Sequence, residues 1–307
     1  MKLYAPKYYK RFKCIADKCP HSCCVGWEID IDENTLEKYK GAKYPYGAVV
    51  LQSISMDGDP HFMLCESDRC PHLDGRGLCR IISQLGEDYL CDICREHPRF
   101  YNYTGVAEVG IGMSCTEAAR IILTSSDYAE MEEIGISAAE ADGIEFDGRA
   151  KRGEIYAILR DESRAYEERL KVIYSKYALE AGEDSLWLKI LDACEYLDAG
   201  HKELFMSYSS ARRPSGKDEY LERFLAYFVY RHCTEALDAD DFCARLSFCL
   251  FCERLFASLI CAEGLDELCD LVALAVVISE ELEYSDENTL ALMRLNSFQV
   301  KKGLALQ

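Results

Sequence analysis

Between residues 154 and 180, Ile155, Ile158, Leu159, Tyr166, Leu170, Ile173, Tyr174 and Tyr177 return to one side of a 3.6-residue helix. The same periodicity predicts helices over 184–200, 218–236, 239–262, 265–283 and 286–295. Upstream the pattern breaks up. "AKYPYGA", "SMDGDPHF" and "CPHLDGRGLC" place Gly, Pro and Asp where regular elements would have to continue. Only short helices are expected there, over 33–40 with Asp32 as N-cap and over 80–86, before "TEAARIILTSS" opens another. "GISAAEADGIEFDGRAKRG" (135–153), with two Asp-Gly pairs, reads as a linker or small hairpin. The expected fold is mainly α. An irregular cysteine-rich domain with little strand (1–134) precedes the connection 135–153 and an α-helical bundle (154–307).

Composition narrows the function. A chain of 307 residues, 49% of them apolar, can bury one large core or two ordinary ones. A formal charge of −19 argues against a nucleic-acid binder, which needs a basic face for phosphates, and against docking on an anionic lipid surface. The acidity serves solubility, or attracts a lysine-bearing protein. It is uneven, because "MKLYAPKYYKRFKC" carries five basic residues and no acid. No signal peptide h-region opens the sequence, and no apolar run of ~20 residues exists to span a membrane. A cytoplasmic, reducing location is therefore expected, where clustered thiols among the seventeen cysteines are metal ligands or redox groups rather than disulfides.

Ten of those cysteines fall between 14 and 115, in sequence too broken for long elements. Metal ligation would hold such a segment by coupling binding to folding. Adjacent Cys23 and Cys24 cannot easily bond each other, but both can serve one or two metal centres. Cys91-x2-Cys94 has the spacing at which two thiolates of one loop reach a single metal. All-thiolate ligation suits zinc or an iron–sulfur cluster. His21, His72 and His97, each near a proline, are not clear ligands. The later cysteines, Cys194, Cys233, Cys243, Cys249, Cys252, Cys261 and Cys269, lie in apolar helical sequence and read as packing residues. "EVGIGMSC" lacks the third glycine and the βαβ pattern of a nucleotide loop. Arg95 and Arg99 offer either a bidentate fork for a carboxylate or ion pairs within the cysteine loops.

These residues resemble the flagellin lysine-N-methylase family. The shared pattern is Cys14; Cys19, Cys23, Cys24, Gly26 and Trp27; Cys70 to Cys79; "LGEDYLCDIC"; Pro98-Arg99; and Ser114-Cys115. Cys65 falls outside it. The cysteine half also resembles the broader zinc- or iron-chelating cysteine-cluster proteins, and "EYLERFLAYFVYRH" resembles the family's Tyr-Phe-rich helix. The resemblance implies S-adenosylmethionine-dependent methylation of flagellin lysines. It also implies an iron–sulfur cluster, four-iron by expectation with zinc as the alternative, on a subset of Cys14, Cys19, Cys23, Cys24, Cys70, Cys79, Cys91, Cys94 and Cys115. Arg95 and Arg99 become candidates for binding S-adenosylmethionine. Trp27, Tyr101, Tyr103, Tyr227 and Tyr230 become candidate walls of an apolar lysine pocket. No catalytic residue is assigned. The rival expectations are a non-enzymatic metal-binding interaction module and an iron or redox sensor.

Overall fold

The computed structural model describes residues 1–140 and 143–294. Two compact units emerge, one of Lys13–Phe100 and one of Met1–Phe12 with Tyr101–Gln307. The expected division at 134 and 153 therefore differs from the observed one. Its cause begins at the N-terminus, where Lys2–Pro6 form strand β1 instead of leading into the cysteine loops.

Within Lys13–Phe100, helix α1 (Glu33–Lys40) forms where expected. Asp32 Oδ1 accepts the Thr35 backbone N–H at 2.9 Å, and Leu36 and Tyr39 turn inward. Helix α2 (Pro45–Gln52) is a correction, since this stretch reads as breaker sequence. Proline at the first helical turn gives up only an N–H that has no helical partner anyway. Strands β2 (Ile54–Ser55) and β3 (His61–Phe62) pair antiparallel. Helices α3 (Arg80–Leu85) and α4 (Asp92–Glu96) each have a cysteine at the N-cap, Cys79 and Cys91. A small core joins these pieces: Ile29, Ile31, Leu36, Tyr39, Val50, Phe62 and Ile81, with Cys70 and Cys91 among them. The segment thus buries more than its broken pattern implies.

Strand β4 (Arg99–Asn102) leads into β5 (Ala107–Ile111), buried at every position, then α5 (Thr116–Thr124) and β6 (Met131–Ile136). The sheet order is β4-β5-β1-β6. β1 runs parallel to β5, with Leu3 opposite Ala107, and antiparallel to β6, with Ala5 opposite Glu132. The "EVGIG" stretch is therefore a core strand.

The helices that follow are α6 (Gly148–Leu159), α7 (Tyr166–Lys176), α8 (Asp184–Ala193), α9 (Ala199–Met206), α10 (Asp218–Phe228), α11 (Ala239–Glu263) and α12 (Leu268–Leu282). Residues 286–294 are also helical; position 295 of the helix expected over 286–295 lies outside the described residues. Asp147 Oδ1 accepts the Ala150 N–H at 2.9 Å, so the second Asp-Gly pair starts a helix rather than making a turn. Asp142 of the first pair lies outside the described residues. The single helix expected over 154–180 divides at Arg160–Ala165, a charged run that interrupts the apolar stripe.

Helix α11 is apolar nearly all round and is the centre of its unit. Its Phe251 stacks on Trp187 with ring centroids 3.9 Å apart, and its Phe256 on Phe224 at 4.3 Å. Gly264, at φ +63°, closes it in the left-handed conformation that a side chain would resist. The chain is mainly α with a small sheet. That sheet was not foreseen, because β1 is five residues long and pairs only with distant segments.

Candidate metal centre

Four segments bring the cysteines of Lys13–Phe100 together. Cys70 and Cys91 lie in the small core, and Cys24, Cys79 and Cys94 pack against it half-exposed. Backbone hydrogen bonds fasten the loops that carry them. Cys70 N donates to Cys24 O at 2.8 Å, and Gly26 N to Asp68 O at 3.0 Å. Gly26 has φ +94°, so the glycine before Trp27 is required by the backbone itself. Trp27 Nε1 then donates back to Cys23 O at 2.9 Å. In the 70–79 turn, Asp74 Oδ1 accepts from Arg76 N at 2.8 Å and Leu78 N at 3.0 Å. Asp32 caps a second helix start, its Oδ2 accepting from Asp92 N at 2.9 Å. The carboxylate that caps the start of α1 therefore also positions the Cys91-x2-Cys94 pair.

The thiols feel one another. A hydrogen bond with Cys23, reinforced by burial and by Cys70 and Cys79, pushes the Cys24 thiol up. Burial raises Cys70 to about 11, and raises Cys79 as well. Between Cys91 and Cys94 one proton is shared: the hydrogen bond from Cys94 favours the Cys91 thiolate, and the same bond holds the proton on Cys94. Two or more thiolates in such a group repel each other unless a cation lies among them. The chemistry of the donor set thus fits a soft metal centre. Among the described residues, however, no three His, Cys, Asp or Glu side chains already surround one point closely enough to hold an ion.

The remaining candidates stand apart in character. Cys14 is exposed, and the half-buried Cys19 thiol donates to the His21 carbonyl. Cys115 belongs to the other unit, at the N-cap of α5. Cys65, outside the sequence pattern, is exposed, but its charge is felt at Cys70. Its five-residue separation from Cys70 was the available signal. His72 is a structural residue. Its Nδ1 pairs with Tyr46 OH at 3.0 Å and its Nε2 with Ser53 Oγ at 2.9 Å, and burial lowers its pKa to about 4. Burial and His21 lower His97 likewise.

Arg95 Nη2 donates to Asp92 Oδ1 at 2.7 Å and to Leu90 O at 2.9 Å, within its own loop. Arg99 Nη1 donates to Arg95 O at 3.3 Å. Two expected pocket walls are corrected. Tyr227 and Tyr230 are buried with their hydroxyls committed, to Glu283 Oε2 at 3.1 Å and to Val109 O at 3.0 Å. Tyr101 and Tyr103 are exposed and stacked, centroids 6.2 Å apart. Of the helical cysteines, Cys233, Cys249 and Cys252 are core residues as expected, Cys194 and Cys243 are half-buried, and Cys261 and Cys269 are exposed. All seventeen cysteines are free.

Comparison with known proteins adds to this picture. The chain is 27% identical over 143 residues to a lysine-N-methylase of Salmonella typhimurium, a match covering 42% of this chain and 34% of that protein. A lysine-N-methylase of Salmonella choleraesuis matches to the same extent. The resemblance to the lysine-N-methylase family holds. A flagellar biosynthetic protein, FliU, of Salmonella muenchen is 26% identical over 140 residues, 80% of its length. The matched stretch spans about a third of the curated lysine-N-methylases. No family model matches the chain, and no solved structure does.

Proposed function

We propose that this chain is an S-adenosylmethionine-dependent protein lysine N-methyltransferase whose substrate is flagellin and whose thiol-rich unit holds an iron–sulfur cluster. The similarity to lysine-N-methylases carries the activity, and the name of the flagellar relative supports the substrate. The five thiols on one small core support the cofactor. When bound, a cluster would fix the loops and offer iron able to take the amino and carboxylate groups of S-adenosylmethionine. Cys23, Cys24, Cys70, Cys79, Cys91 and Cys94 are the residues to hold it, and zinc is the alternative metal. Among the described residues, no helix is long and apolar enough to cross a membrane. We place the reaction in the cytoplasm, where free thiols persist.

The transfer moves a methyl group from the sulfonium to lysine Nζ, leaving S-adenosylhomocysteine and one released proton. It needs the neutral amine, whose ordinary pKa is ~10.4, so the pocket must desolvate the ammonium or supply a base. An interaction module is the second reading, favoured by the limited share of the lysine-N-methylases that is matched. Anaerobically purified protein, incubated with methyl-labelled S-adenosylmethionine and flagellin of the same cell, separates the two. Label on flagellin lysines is expected. Stable binding without transfer would leave the module.

A further inference from the structure

Of the histidines in Lys13–Phe100, His97 has a ring nitrogen that nothing engages. Its Nε2 is buried, and among the described residues no donor or acceptor lies within hydrogen-bond distance of it. A buried polar atom of this kind calls for an explanation, because an unmade hydrogen bond costs stability and an absent ion is one of the usual reasons. The contrast with its neighbours is sharp. Both nitrogens of His72 are spoken for. His61 Nδ1 faces Asp59 O at 2.8 Å, and its Nε2 lies 3.5 Å from Glu28.

The place of His97 matters as much as its vacancy. It follows Cys94 by three residues, just past the end of α4. Its ring lies beside Trp27, centroids 6.4 Å apart and tilted by 35°. That same indole is pinned to the Cys23 carbonyl. His97 is thus tied through its ring to the first cysteine loop and through its backbone to the last. An imidazole nitrogen left without a hydrogen-bond partner, three residues past Cys94 in the chain, has the chemistry of a metal ligand.

We infer that His97 Nε2 ligates the metal centre of this unit, which makes the site a mixed imidazole–thiolate one. The inference rests on the proposed metal centre and goes beyond its all-cysteine form. An imidazole in place of a thiolate removes one negative charge from the centre, so it raises the reduction potential of an iron–sulfur cluster.

The test is spectroscopic. Full-length protein is prepared anaerobically from cells fed 15N-histidine, its cluster reduced, and nitrogen coupling read by pulsed electron paramagnetic resonance. The expected result is a strong coupling that changes with the isotope, persists in His21→Gln and His61→Gln, and disappears in His97→Cys. The potential of the His97→Cys cluster should fall. His97→Cys keeps a donor at the position, so cluster loss through simple unfolding is avoided. If the centre is zinc, X-ray absorption reads the same question as a nitrogen at ~2.0–2.1 Å beside sulfur at ~2.3 Å. A metal-loaded protein without histidine nitrogen at the metal, or with nitrogen that survives His97→Cys, overturns the inference and leaves the metal centre standing. Protein that takes up no metal overturns both.

Discussion

Single residues divide into those that hold a shape and those that wait for a ligand. Cys249 is wholly buried, with its sulfur 3.8 Å from Cys233, whereas Cys94 is half-exposed beside other thiols. Cys23→Ser or Cys94→Ser should therefore abolish metal uptake, measured by elemental analysis. Cys249→Ser should keep the metal and lose about 1–3 kcal/mol from a poorly accommodated hydroxyl. Loss of metal from the Cys249 variant would place the site in the wrong unit. The Glu283 group makes a second prediction. Burial pushes the Glu283 carboxyl up, but Arg231, His232 and Ser279 outweigh it and hold it below its usual 4.5. Burial also holds His232 below 6.5, so a neutral imidazole donates Nε2–H to Glu283 Oε1 at 2.8 Å while Arg231 carries the charge. Both pKa values are lower folded than unfolded, so the unfolded chain binds the extra protons. The stability they contribute is complete above 6.5 and is lost as pH falls below it and then through the carboxylate range. Buried Glu253, pushed up by desolvation, acts with the opposite sign at the acid end. Urea midpoints of the helical unit should be flat above about pH 7 and decline below it. His232→Gln should flatten the upper part of that decline, and an unchanged profile would remove His232 from the account.

Elements show how much of this was legible in the sequence. Helix α1 and its Asp32 cap were readable because capping chemistry is local. What could not be read was the second use of the same carboxylate, on Asp92, sixty residues away. Helix α2 was missed because Pro45 and Gly47 resemble a turn until tertiary packing gives Tyr46 and Val50 a core to enter. The sheet was missed for a related reason: β1 is defined by Ala107 and Glu132, which no window of neighbouring residues contains. The cysteine motifs fared better. Their pattern pointed to ten residues between 14 and 115 and the family resemblance to nine of them; of those nine, Cys24, Cys70, Cys79, Cys91 and Cys94 share one small core. Asp32→Ala should therefore do more than an ordinary cap deletion. Each lost cap is worth about 0.5–2 kcal/mol, and here two helix starts lose theirs. Asp32→Asn keeps an oxygen for only one of them and should fall between. Chemical denaturation gives the stability, and metal titration should show weaker binding in the Ala variant because Cys91 sits at the freed helix start. The same size of loss from Asn as from Ala would mean that one of the two bonds contributes nothing.

Over the whole molecule, two units rely on different sources of stability. The helical unit buries long helices, aromatic stacks and internal ion pairs. In one of these, Arg152 grips Glu108 through two bonds of 2.7 and 2.8 Å. Removing one partner of such a pair strands the other, so Glu108→Ala should cost about 3–5 kcal/mol in urea unfolding. The unit Lys13–Phe100 has helices of five to eight residues and a core of a few side chains, several of them cysteines. Elements that short do not persist alone, and structural metal can supply ~10 kcal/mol or more. The two supports should therefore separate when the metal is removed. In hydrogen exchange of the full chain after chelation, amides of α1, α3 and α4 should lose protection, while those of α10, α11 and α12 keep theirs. Restoring the metal should restore the first group alone. If α10–α12 open together with α1, the units fold as one and the metal stabilises the whole chain. If α1 stays protected without metal, the small core suffices and the thiols are not needed for folding.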